Sequence, residues 1–155
     1  MSTDWNLPWS ASCLCGQIKM QVTAPPMLSI ACHCKPCQKL TSSAYSMAFI
    51  VPSAGFEVTE GTPVLGGLHS QHKQYYCGHC KGWLFTRPAQ MDSIVNVRST
   101  ILDDASWVIP FIDIETADKL PGVSTGATLS FEGTPPMEEF ARIVADYTQN
   151  GARPG

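Results

Sequence analysis

Between Gln17 and Thr23 the apolar residues Ile18, Met20 and Val22 alternate with Gln17, Lys19, Gln21 and Thr23. A period of two predicts a strand with one buried face, closed here by Pro25-Pro26. Residues 28–31 form a short second apolar run, and residues 44–51 a third that ends at Pro52. Further short runs at 56–59, 64–65, 74–76, 83–85, 94–97 and 111–114 are separated by Gly and Pro turns. Turn signals recurring every eight to twelve residues predict a mainly β chain of short antiparallel strands. No βαβ rhythm, internal repeat or low-complexity run interrupts the series.

The period changes near the C-terminus. Met137, Phe140, Ala141, Val144 and Tyr147 recur at helical spacing, after Thr134 as a candidate cap and Pro135 in the first turn. Glu138 and Glu139 suit the positive end of a helix dipole, and Gly151 is the expected stop. The expected C-terminal helix spans 134–150 and closes the core; residues 121–133 before it form a loop. Residues 1–10 read as a polar arm laid on the body, anchored by Trp5 and Trp9. The 155 residues suit a single domain, since a chain of that length buries about 70% of its unfolded surface.

Composition narrows the partners. The chain is 44% apolar and only 15% charged, with a net charge of −3 and no basic stripe, so nucleic acid is not an expected partner. The longest apolar run, Met47-Ala48-Phe49-Ile50-Val51, falls far short of a bilayer span, and the first ten residues lack a signal-peptide pattern. A soluble cytoplasmic protein with no membrane partner is expected.

Seven cysteines are the anomaly, and they are clustered as Cys13-x-Cys15, Cys32-x-Cys34-x-x-Cys37 and Cys77-x-x-Cys80. An odd number leaves one thiol outside any set of intramolecular disulfides, and in a reducing compartment clustered thiols point to metal or catalysis. Four thiolates close a tetrahedral zinc site, whereas three leave a position for water or substrate. The central cluster can wrap one ion alone, while each outer pair needs the other to fill a shell. Spacing therefore assigns Cys13, Cys15, Cys77 and Cys80 to a closed structural zinc, and Cys32, Cys34 and Cys37 to an open one, giving two Zn²⁺ per chain. The open group carries one net negative charge against two for the closed group, and so keeps more Lewis acidity. An exchanged pairing, or a redox role for the central trio, fits the same spacing. His33 lies between two ligands and should point to the opposite face, and His79 sits exposed in its turn. His69 and His72 belong to a polar stretch from which either could reach the open site as a fourth ligand or a proton shuttle.

On Cys13-Leu14-Cys15-Gly16, Cys32-His33-Cys34-Lys35-Pro36-Cys37 and Cys77-Gly78-His79-Cys80, the chain resembles the glutathione-dependent formaldehyde-activating enzyme family. Gly61 and Leu102-Asp103-Asp104 also stand where that family carries similar residues, and the likeness runs from about residue 10 to 120. The resemblance implies an Mss4-like β-tent, structural zinc on the outer pairs and catalytic zinc on Cys32, Cys34 and Cys37. It also implies a reaction: a glutathione thiol adds to formaldehyde, giving S-(hydroxymethyl)glutathione, a carbon–sulfur lyase chemistry. Glutathione carries two carboxylates, for which Lys35, Lys39, Arg87 and Arg98 are the candidate cations. Three positions depart from the family pattern. Lys81 precedes Gly82 where glycine commonly follows the last pair, Pro110-Phe111-Ile112-Asp113 lacks a frequent histidine, and Leu120-Pro121 replaces a late tryptophan. A zinc-stabilised β-tent module that binds a protein partner without catalysis is the alternative, and it expects a fourth protein ligand such as His69 or His72 on the central zinc.

Overall fold

Short strands form where apolar and polar residues alternate, because each strand buries one row of side chains. The structure, a computed structural model, describes residues 4–155, so positions 1–3 of the expected arm lie outside the described residues. In chain order the first elements are β1 (Trp9–Ser12), β2 (Lys19–Val22), β3 (Leu28–Cys32), α1 (Lys35–Thr41), β4 (Ser46–Pro52) and β5 (Phe56–Glu60). They are followed by β6 (Val64–Gly66), β7 (Lys73–Tyr76), β8 (Trp83–Arg87), β9 (Ile94–Arg98), β10 (Ile112–Ile114), β11 (Leu129–Ser130) and α2 (Met137–Asn150).

Two sheets result. The smaller has the order β1-β2-β5, and the larger runs β11-β10-β3-β4-β9-β8-β7-β6. An isolated bridge between Ala11 and Leu102 also joins β1 to the segment that follows β9. Val22, Phe49, Val51, Leu84, Val95 and Val97 have almost no exposed surface and form the centre of the core. Around it Trp9 packs on Phe49 and Trp107 with ring centroids 5.4 and 4.9 Å away, and Trp5 on Tyr147 at 5.6 Å. Gly61 turns the chain out of β5 at φ +78°, and a Cβ there would stand 2.4 Å from the Gln17 carbonyl oxygen. Only glycine fits that approach.

Four expectations are corrected. Not every strand pair is antiparallel: β10 runs parallel to both β3 and β11. Alternation reveals a strand but not its direction, and the long connection after β9 returns the chain on the far side of β3. The arm is no mere covering, for Trp9 and Ser10 already belong to β1 and pair with Val22 and Gln21. A helix the periodicity did not reveal, α1, has seven residues and buries none of them, which leaves no apolar stripe to read.

The C-terminal helix begins at Met137, not at 134. Thr134 caps nothing; its hydroxyl donates to Glu115 Oε1 at 3.2 Å. The buried face is also rotated, because Ile143 and Tyr147 are buried while Met137 is 80% exposed. Gly151 does end the helix, but in an extended conformation at φ −66°. Its lack of a side chain matters for packing: a Cβ would lie 2.3 Å from the buried Tyr147 ring.

Candidate functional site: two cysteine groups and a cavity

The first group is built by two tight turns from different sheets. The turn between β1 and β2 carries Cys13 and Cys15, held by Gly16 N donating to Cys13 O and Cys13 N to Ile18 O, both at 3.0 Å. The turn between β7 and β8 carries Cys77 and Cys80, held by Cys77 N to Gly82 O and Lys81 N to Cys77 O, again both at 3.0 Å. Lys81 adopts φ +62°, the left-handed region, and its ammonium donates to Gly78 O. The four sulfurs lie within 4.8 Å of one another. Cys13 and Cys15 are 3.5 Å apart and Cys15 and Cys77 3.7 Å, and all seven cysteines are free. A tetrahedron with metal–sulfur bonds of about 2.3 Å has edges of about 3.8 Å, so the group is the right size for an ion such as zinc. Ile18 N donates to Cys13 Sγ at 3.2 Å, as an amide does to a thiolate. At Cys80 the backbone N–H of Gly82 leads the effects that lower the thiol pKa to about 6.

The second group comes from one junction. Cys32 ends β3, Cys34 caps α1 by accepting from Cys37 N at 3.4 Å, and Cys37 lies in the first turn of that helix beside Pro36. These three sulfurs also lie within 4.8 Å of one another, and no histidine, carboxylate or fourth cysteine joins them among the described residues. Close contact with Cys32 and Cys34 lowers the Cys37 pKa, helped by the Ser46 hydroxyl and the positive charge of Arg98. The same contacts raise that of Cys32. Three sulfurs this close cannot all ionise without added positive charge, which a divalent metal would supply.

His33 is fully buried and faces away from the cysteines on either side of it. Its Nε2 donates to Asp113 Oδ1 at 3.0 Å, and Asp113 is held in turn by Thr125 Oγ1 at 2.7 Å and Lys119 Nζ at 3.3 Å. Burial works against the Asp113 carboxylate, but the bonds from His33 and Thr125 overcome it and keep its pKa below the ordinary value. Gln38 of α1 closes the arrangement by donating to the carbonyls of His33 and Asp118 at 2.7 and 2.9 Å. Sequence reasoning missed Asp113, although a lone acid in the run Phe111-Ile112-Asp113-Ile114 was a signal of a buried, partnered charge.

The remaining histidines stay away. His69, His72 and His79 are exposed, and His72 Nδ1 accepts from Ala89 N at 3.1 Å. Among the candidate cations, Lys35 pairs with Asp118 at 3.6 Å, Lys39 is exposed, and Arg87 reaches Ser53 Oγ at 3.3 Å. Arg98 differs from these. It is buried, donates to Ser46 Oγ at 3.1 Å, and lines a cavity of about 820 Å³. That cavity is also lined by Cys13 and Lys81 beside the first group, and by Thr41, Tyr45 and Ser46 near the second.

Fold and site together define a mainly β protein of eleven described strands that presents seven thiols in two groups, each able to bind a metal ion. The family model for glutathione-dependent formaldehyde-activating enzymes matches residues 8–118, and the chain belongs to that family. No curated protein matches the chain. Among solved structures, a structural-genomics crystal structure of a Rhodobacter sphaeroides protein aligns with 79% of this chain and 99% of its own, at 16% identity and a TM-score of 0.49. Helix α2 lies beyond the part that matches the family.

Proposed function

We propose that the chain is a zinc-dependent enzyme that joins a thiol to an aldehyde, with glutathione and formaldehyde as the leading pair. The product is S-(hydroxymethyl)glutathione, and the reverse reaction is that of a carbon–sulfur lyase. One observation carries the reading: Cys32, Cys34 and Cys37 form a group of three thiols with no fourth ligand among the described residues. A purely binding module expects His69 or His72 to complete that shell, and both side chains are exposed elsewhere.

In this reading Cys13, Cys15, Cys77 and Cys80 hold a structural zinc in an Mss4-like β-tent, and the trio holds the catalytic one. The cytosol keeps all seven thiols reduced. Held by Cys32, Cys34 and Cys37, zinc would lower the pKa of a thiol and supply a Lewis acid for the aldehyde oxygen. The chain supplies the rest. The His33–Asp113 bond and the Gln38 bridge fix the backbone on which Cys32 and Cys34 stand. Ser46 lies beside Cys37 and lowers its pKa. In the reaction a C–S bond forms, the carbonyl π bond opens, and the thiol proton ends on the former carbonyl oxygen, with no change in oxidation state overall.

The test is to purify the protein without chelator, count zinc, and follow glutathione and formaldehyde exchange by NMR. Two zinc ions per chain and exchange faster than in protein-free buffer are expected. Two ions with exchange at the uncatalysed rate would reject the enzyme in favour of the binding module.

A further inference from the structure

Arg98 is only 7% exposed, yet no carboxylate lies within ion-pairing distance of it among the described residues. Strand register explains where it points. Cys32 pairs with Ser46 across β3 and β4, and Ala48, two residues further along β4, pairs with Arg98 of β9. Residues two apart on a strand share a face, so Cys32, Ser46 and Arg98 stand together on one side of the larger sheet. The guanidinium carbon lies 4.1 Å from the centre of the Trp83 ring, which fixes its plane. Among the described residues Ser46 Oγ is its one hydrogen-bond acceptor, and the Nε–H has none. A guanidinium carries five N–H donors and cannot shed its charge, so this one is left with donors to spare.

The cavity of about 820 Å³ reaches Arg98 between Trp83 and Ser46, with Tyr45 on its wall and Lys81 among the lining residues. Its volume is that of a small-molecule site. A single fork with spare parallel N–H groups matches a planar carboxylate. We infer that this cavity binds the carboxylate of a small organic acid on Arg98, and that a carboxylate-bearing thiol is thereby held on the face of the larger sheet that also carries Cys32. The inference rests on the proposed reaction only in its second half; the carboxylate site stands on Arg98 and the cavity. Arg98 is then a substrate-binding residue, and it selects acidic thiols over neutral ones of the same size.

The experiment is calorimetric titration of the protein as purified with S-methylglutathione and with its diethyl ester. Blocking the sulfur removes any contribution from thiol chemistry. The acid should bind at least tenfold more tightly than the ester, with quenching of tryptophan emission as the Trp83 environment changes. Arg98→Gln should abolish that preference and Arg98→Lys should restore part of it, with circular dichroism and zinc content confirming that each variant folds. The ester comparison on the unaltered protein needs no variant, so a folding failure does not decide the matter. Equal binding of acid and ester, no binding of either, or a preference that survives Arg98→Gln would each overturn the inference. In the first of these outcomes Arg98 serves only to balance the charge of the three thiolates. If the acid is preferred but glutathione and formaldehyde react at the protein-free rate, the carboxylate site stands and the proposed reaction falls.

Discussion

The Nε2 of His33, the residue that follows β3, and the Oδ1 of Asp113 on β10 meet at 3.0 Å in the interior. A carboxylate can only accept, so His33 carries its hydrogen on Nε2 and leaves Nδ1 without a partner among the described residues. The bond is made directly between Cys32 and Cys34 in sequence, and it holds the backbone that presents them.

Asp113→Asn keeps the shape but removes the charge that faces His33 and Lys119. We expect a loss of about 1.5–3 kcal/mol in stability near neutral pH, the usual worth of a hydrogen bond to a charged group. The folded-state pKa of Asp113 is depressed, so its contribution is complete above the unfolded-state value and is lost as pH falls through the lower folded value. Denaturation curves of the two proteins should therefore differ above about pH 4, the ordinary carboxylate range, and converge in more acid solution. Equal stability at pH 7 would assign Asp113 no such role.

Cys80→Ser and Cys34→Ser should behave differently. The first opens a group that joins turns from two sheets, and losing a structural zinc can remove ~10 kcal/mol of apparent folding free energy. That variant is expected to be unfolded by circular dichroism and to retain at most one zinc. In the second, serine is itself a favoured helix cap and keeps the start of α1, so the melting curve should stay near that of the parent while exchange activity disappears. Global unfolding of Cys34→Ser would mark the central group as structural.

Lys81 holds a left-handed conformation at φ +62° that costs a non-glycine residue roughly 1–2 kcal/mol. Lys81→Gly relieves it, and the greater freedom of glycine in the unfolded chain returns ~0.5–1 kcal/mol of that gain. A rise of a few degrees in Tm is expected. A fall would show that the bond from the Lys81 ammonium to Gly78 O outweighs the backbone strain.

Gly151→Ala tests a different use of glycine. The new methyl would collide with the Tyr147 ring, which is pinned between Trp5 and Phe111 at centroid distances of 5.6 and 5.3 Å. Overpacking of this kind costs ~1–3 kcal/mol. Chemical denaturation should show a lower midpoint with an unchanged slope.

Nine of the eleven described strands, β2 through β10, were legible as short apolar runs between turn signals, although β3, β4 and β8 are buried on successive positions and do not alternate. The cysteine partition was legible too, since spacing alone separates pairs that need a partner from a trio that does not. What escaped had no local signature. Strand direction at β10 is decided by a long connection, and α1 is too short to show an amphipathic face. The start of α2 was misread because Thr134 has capping chemistry but is engaged by Glu115 instead. Arg98 stood among four candidate cations with nothing to rank them; only the register of β4 with β9 sets it beside Ser46.

The turn that carries Cys13 and Cys15 belongs to one sheet, and the turn that carries Cys77 and Cys80 to the other. An ion held between those turns would make the stability of the folded chain a function of metal supply. By mass action, once free zinc is the limiting ligand, each tenfold fall removes about 1.4 kcal/mol from the folded state. Loss of such an ion would part the seam between the two sheets and expose the aromatic interior.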